Sequence, residues 1–121
     1  MYAVELVKKT ALAKKLGGPP VFHDGHLTRI LIDADTVAID IRILSKNNPR
    51  LRKDTPVRLR LGAVDSFRFE CADVGDPLMV VHDLDIRKED DDKLRMLLES
   101  ARGEISEIVF ETIELVDIDT T

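Results

Sequence analysis

The sequence predicts a single α+β domain: a mostly antiparallel sheet of about six strands with two short helices covering one face. Three observations carry that expectation. Val37, Ile39, Ile41 and Ile43 alternate with Ala38, Asp40 and Arg42, the period of a strand buried on one side. Ala11, Leu12 and Ala13 favour a helix between Thr10 and Gly17, and Leu94, Leu97, Leu98 and Ala101 supply an apolar stripe before Gly103. A length of 121 residues supports one hydrophobic core and is too short for two domains of ordinary size.

Taken in order, Tyr2, Val4 and Leu6 alternate as a strand would, while Val4, Val7 and Ala11 would share a helix face, so the start stays open between the two. Thr10 caps a first helix that runs to Leu16, with Lys14 and Lys15 at its C-terminal dipole and Gly17 as its stop. Leu27 to Asp33 and Thr36 to Leu44 read as a hairpin around Ala34 and Asp35. Ser45 to Thr55, with Asn47, Asn48 and Pro49, is a polar loop. Val57, Leu59 and Leu61 alternate with Arg58 and Arg60, and Phe67 and Phe69 flank Arg68, giving two further strands. Asp73 to Pro77 is turn chemistry before a strand from Leu78 to Ile86. The acids Glu89 to Asp92 complement the dipole of a second helix, which carries the Leu94 stripe and ends at Gly103. Glu104 to Ile118 is a last strand whose apolar phase shifts from Ile108 and Phe110 to Ile113 and Leu115, as a bulge near Thr112 requires.

Composition narrows the functional classes. Hydrophobic residues make up 44% and charged residues 34%, the balance of a folded rather than a disordered chain. No apolar run approaches the roughly 18 residues of a membrane span. Met1 to Lys15 mixes Glu5 and four lysines among its apolar residues, unlike a signal peptide, so the expected location is cytoplasmic. Cys71 is the only cysteine, which excludes an internal disulfide and suits a buried, inert thiol beside Phe67 and Phe69. No phosphate-cradling glycine loop and no nucleophile elbow is present, and no cofactor is expected.

Gly17 to His26 (GGPPVFHDGH) concentrates backbone punctuation and potential chemistry. His23, Asp24 and His26, joined by the second His-Asp dipeptide at His82, are nitrogen and oxygen ligands that would suit a divalent metal and a small hydrolase. The structural alternative is that Asp24 and His23 satisfy backbone groups where the chain turns from Pro19-Pro20 into a strand, with Phe22 plugging the core beneath. Asp33, Asp35 and Glu89 to Asp92 lack the spacing of a calcium loop. Arg29, Arg42, Arg58, Arg60 and Arg68 could line one sheet face, but with no tryptophan and one tyrosine there is little for nucleic-acid bases to stack on. Pairing across strands with Asp40 and Glu70 is their ordinary use.

The net charge of −5 conceals a split. Residues 1–70 carry 13 basic and 8 acidic side chains, whereas residues 71–121 carry 5 and 15, so the halves stand at +5 and −10. No lysine or arginine follows Arg102, while Glu104, Glu107, Glu111, Glu114, Asp117 and Asp119 succeed one another. A one-sign surface steers a partner of opposite charge. The competing use of these acids is to lie opposite arginines of the first half within the folded sheet.

Pro19-Pro20-Val21-Phe22-His23-Asp24 followed by an alternating strand resembles small bacterial immunity proteins of the family called immunity protein fifty, in which a Phe-His-Asp signature follows a short helix and a proline-bearing turn. Val57 to Val64 looks like that family's central strand and Ile108 to Glu111 its closing one. The resemblance implies a non-enzymatic protein that neutralises a toxin, often a nuclease with a basic substrate channel. Glu104, Glu107, Glu111, Glu114 and Asp117 would then form the partner-binding surface, with lysine at Glu107, Glu111 and Glu114 expected to slow association. A metal-dependent hydrolase and a regulatory module of unknown partner are the other readings.

Overall fold

Alternation of buried and exposed side chains, read along the backbone, gives eight strands in the computed structural model, which describes residues 21–70 and 80–117. They are β1 (His26–Asp33), β2 (Thr36–Ile43), β3 (Thr55–Gly62), β4 (Ser66–Arg68), β5 (Val81–Lys88), β6 (Leu94–Ser100), β7 (Ile105–Phe110) and β8 (Thr112–Asp117). Two antiparallel four-stranded sheets result, the first in the order β1-β2-β3-β8 and the second β4-β7-β6-β5. Val37, Ile39, Ile41, Val57, Leu59, Leu61 and Leu115 of the first sheet meet Ile86, Met96, Leu98, Ile108 and Phe110 of the second in one buried cluster. The core is the space between the sheets.

The sheets are joined on two sides. On one side the chain passes from β3 to β4 and, antiparallel to it, from β7 to β8, so two paired runs leave one sheet for the other together. Gly62 sits at that corner because a Cβ there would lie 2.3 Å from Thr112 Oγ1. The same passage explains the phase shift at the end of the chain: Ile108 and Phe110 face the core from the second sheet, and Ile113 and Leu115 face it from the first after a break at Glu111. On the other side, an isolated antiparallel bridge between His26 and Val80 ties β1 to the start of β5.

This architecture corrects the expected α+β fold: among the described residues there is no helix, and none covers a sheet face. The segment expected as a second helix is strand β6, in which Leu94, Met96, Leu98 and Ser100 are buried while Arg95, Leu97 and Glu99 are half-buried. Its helical stripe arose because the neighbours Leu97 and Leu98 satisfy a three-four spacing as well as an alternating one. The acids Glu89 to Asp92 form the β5–β6 turn instead of a helix start, with Glu89 N donating to Lys93 O and Asp92 N to Asp90 Oδ1. The first expected helix, Thr10 to Leu16, and Cys71 lie outside the described residues.

Candidate functional site

Phe22-His23-Asp24-Gly25 folds as a β-turn closed by Gly25 N donating to Phe22 O at 2.8 Å. Asp24 holds a φ of 65°, a left-handed conformation that aspartate tolerates better than most residues. A Cβ on Gly25 would come within 2.9 Å of both Arg42 O and Phe22 O, so only glycine fits between the turn and β2. Phe22 packs against the core cluster.

Two further segments clamp the turn. On the β5 side, Asp24 N donates to Val81 O and Val81 N to Gly25 O, both at 2.8 Å. His23 Nδ1 donates to His82 O at 2.6 Å, and the two imidazoles meet edge to face with centroids 5.4 Å apart. On the side of the β2–β3 loop, Asn47 Nδ2 donates to His23 O at 3.0 Å. Buried Asn48 accepts from Val21 N at 2.8 Å and donates to Val21 O and Leu44 O at 3.0 and 2.9 Å. The carboxylate of Asp24 lies 3.5 Å from both His23 Nε2 and Lys46 Nζ. Asn48→Ala strips three backbone groups of their partner at once. It is expected to cost about 2 to 3 kcal/mol of stability, measured by urea unfolding; a loss under about 0.5 kcal/mol would show the clamp to be replaceable by water.

The structure therefore brings His23, Asp24 and His82 together and leaves His26 on β1, facing Arg42 across the ladder. With Nδ1 of His23 given to a carbonyl, only Nε2 is left to it as a ligand. Among the described residues no group of three or more His, Cys, Asp or Glu side chains is arranged to hold a metal ion. What the geometry does is structural: the turn joins β1, β5 and the β2–β3 loop.

The acids of the C-terminal half are dispersed. Glu114 is on the outer face of the first sheet, 3.5 Å from Arg60. Glu107 is on the outer face of the second, within 3.4 Å of Arg95 and 3.6 Å of Arg68. Glu104 folds onto Ser100 Oγ and Arg102, and Glu111 occupies the bend between the sheets. Asp117 ends β8 opposite Val57. Glu104, Glu107, Glu111 and Glu114 do not make one surface, and three of them have arginine partners.

The arginines are likewise distributed. Arg58 forks onto Asp40 with Nε–Oδ1 at 2.6 Å and Nη2–Oδ2 at 2.9 Å, and that hydrogen bonding raises its pKa above the usual value despite partial burial. Arg95 forks onto Glu89 in the same way, which raises its pKa too. Arg68 stands on β4 in the second sheet, apart from Arg29, Arg42, Arg58 and Arg60 in the first.

One cluster escaped sequence reading because only the register reveals it. On the outer face of the second sheet Asp83 lies directly opposite Glu99, and Glu99 opposite Ile105. Ile105 is 41% exposed, and half-buried Leu97 follows in the next row between Asp85 and Glu107. Asp83 and Glu99 have no ion-pair partner among the described residues. Comparison with protein-family models, with curated proteins and with solved structures returns no match for this chain.

Proposed function

We propose that this protein is a non-enzymatic binding module that seats a basic protein surface on the outer face of its second sheet. One observation carries the reading: Asp83 and Glu99 are like charges directly opposite each other, without an ion-pair partner among the described residues, beside exposed Ile105. Like charges in that position destabilise a sheet. A partner that brings lysine or arginine to them, and an apolar contact to Ile105, relieves the repulsion and covers the isoleucine. A nuclease toxin with a basic substrate channel is a partner of that chemistry, and inhibition by occlusion would need no catalytic group here.

The test is association with the product of the gene adjacent to its own, followed by stopped-flow at low and high salt. Asp83→Lys combined with Glu99→Lys is expected to slow association by about tenfold or more at low salt, with the difference shrinking as salt is added. Both residues are exposed or half-buried on the sheet surface, so folding should survive the change. An unchanged on-rate, or no complex at all, overturns the proposal.

A further inference from the structure

We propose that the first sheet binds the phosphate backbone of double-stranded nucleic acid through Arg29 and Arg42 on its outer face and Arg50 and Arg52 in the β2–β3 loop. The stretch from Arg42 to Arg60 carries seven lysines and arginines and one acid, Asp54. Folding sorts these cations. Arg58 is taken by Asp40 and Arg60 by Glu114, each its ladder partner, and Lys46 by Asp24. Arg29, Arg42, Arg50 and Arg52 are exposed and have no acidic partner among the described residues. In the second sheet and its turns, by contrast, Arg68, Arg87, Lys88, Lys93, Arg95 and Arg102 each have a carboxylate partner.

The fold gathers the four toward one end of the sheet. Arg42 stands one residue before the end of β2, from which the loop leaves, and Arg29 lies in the next outward-facing row, opposite Asp40. Within the loop Leu51 is buried in the core, so Arg50 and Arg52 on either side of it are left in solvent. The loop is also fixed. Buried Asn48 holds Val21 and Leu44, Leu51 N donates to Asn48 O at 2.9 Å, and Ser45 donates from N and Oγ to Asp54 Oδ1 at 2.9 and 3.2 Å. Those last two bonds occupy the one acid of the stretch, and a loop already held in place gives up less freedom on binding.

Guanidinium groups suit phosphate, to which they donate as a fork. A duplex is favoured over a single strand, because the chain has no tryptophan and the exposed Phe67 belongs to the second sheet, leaving bases little to stack on at the arginines. It is favoured over an acidic protein as well. Of the large exposed apolar residues described, Ile32 is at the other end of β1 and Phe67 and Ile105 are in the second sheet, so apart from Val21 beside Asn48 the apolar centre of a protein interface is missing. The unpaired acids Asp83 and Glu99 lie on the far side of the core, on the outer face of the other sheet. Packed sheets stand about 10 Å apart, and charge is screened over about 8 Å at physiological salt. The site is therefore separate from the acidic face proposed above, and neither depends on the other.

The test is fluorescence anisotropy of the full chain with a labelled duplex of about 20 base pairs, DNA and RNA in separate arms, over a range of salt. Binding to either duplex supports the proposal, and the arm that binds names the source. The logarithm of the affinity should fall against that of the salt concentration with a slope of about −3 to −4, four phosphates being neutralised. Arg50→Gln/Arg52→Gln should lessen the slope by about 2 and weaken binding at least about tenfold at low salt, and Arg29→Gln/Arg42→Gln should do the same independently. Arg50→Lys/Arg52→Lys keeps the charge and should keep the slope. Arg102→Gln, which removes a paired cation of the second sheet, should change nothing. No binding to either duplex at about 100 µM protein and low salt, a slope indifferent to both glutamine pairs, or an equal loss in Arg102→Gln overturns the proposal. So does tighter binding to a single strand or to polyglutamate than to the duplex.

Discussion

Replacing Phe110 by alanine is expected to lower the unfolding free energy by about 3 to 5 kcal/mol, seen as a lower urea midpoint at unchanged slope. Phe110 is fully buried and heads the largest side chains of the core. It closes β7 opposite Leu94, one residue before the chain leaves for the other sheet. The cavity would thus open where the chain crosses from one sheet to the other, and backbone held by the ladders on either side is poorly placed to collapse into it. Phe110→Leu, which keeps most of the volume, should cost much less. A loss below about 1.5 kcal/mol for the alanine variant would mean that the site relaxes freely.

The second large effect is expected at Asp40, which is 4% exposed on the outer face of β2. Its carboxylate takes both hydrogen bonds from Arg58, its ladder partner on β3. Asp40→Ala leaves a partly buried guanidinium without its counter-ion, at a cost of about 3 kcal/mol. Asp40→Ala combined with Arg58→Met removes both charges and should recover most of that loss, since the ion pair itself gains little over an apolar pair once desolvation is counted. Thermal or urea unfolding of the three variants decides the matter. If the double variant is as unstable as the single, the hydrogen bonds and not the stranded charge hold the energy.

Much of the sheet was legible, for a physical reason. The residues of β2 and β3 alternate without interruption, and Ile39 and Leu59, side by side in the ladder, are both buried as that alternation requires. The change of phase between Phe110 and Ile113 was also visible as a bulge, although its meaning, passage from one sheet to the other, needed the pairing partners of β7 and β8. The run Leu94–Ser100 misled because Leu97 on the outer face is apolar, so composition alone did not separate one strand face from the other. Burial of Met96 on the inner face, packed opposite Ile108, is what decides for a strand.

The candidate sites divide in the same way. Phe22, His23 and Asp24 announced a turn, because glycine, proline and aspartate limit the backbone locally. The residues that clamp it did not. Asn48 reads in the sequence as one more polar loop residue, and two of its three hydrogen bonds reach a segment 27 positions away. The Asp83–Glu99 contact depends on hairpin register, which a bulge between Val81 and Asp83 resets. Charge totals foretold an acidic half of the chain without showing that several of its carboxylates would be matched by arginines such as Arg60 and Arg68.

The joint between the sheets has a consequence for how the chain is made. β3 has β2 on one side from early in synthesis, but its other neighbour is β8, and Arg60 waits for Glu114 across 54 positions of sequence. Until β8 leaves the ribosome, the β3 edge beside Val57, Leu59 and Leu61 lacks the strand that it pairs with in the folded sheet. Such distant pairings close slowly, on the millisecond-to-second scale of all-β domains. The nascent chain therefore passes through a stage in which a sticky strand is open to neighbours or chaperones, and the arrival of β8 ends that exposure.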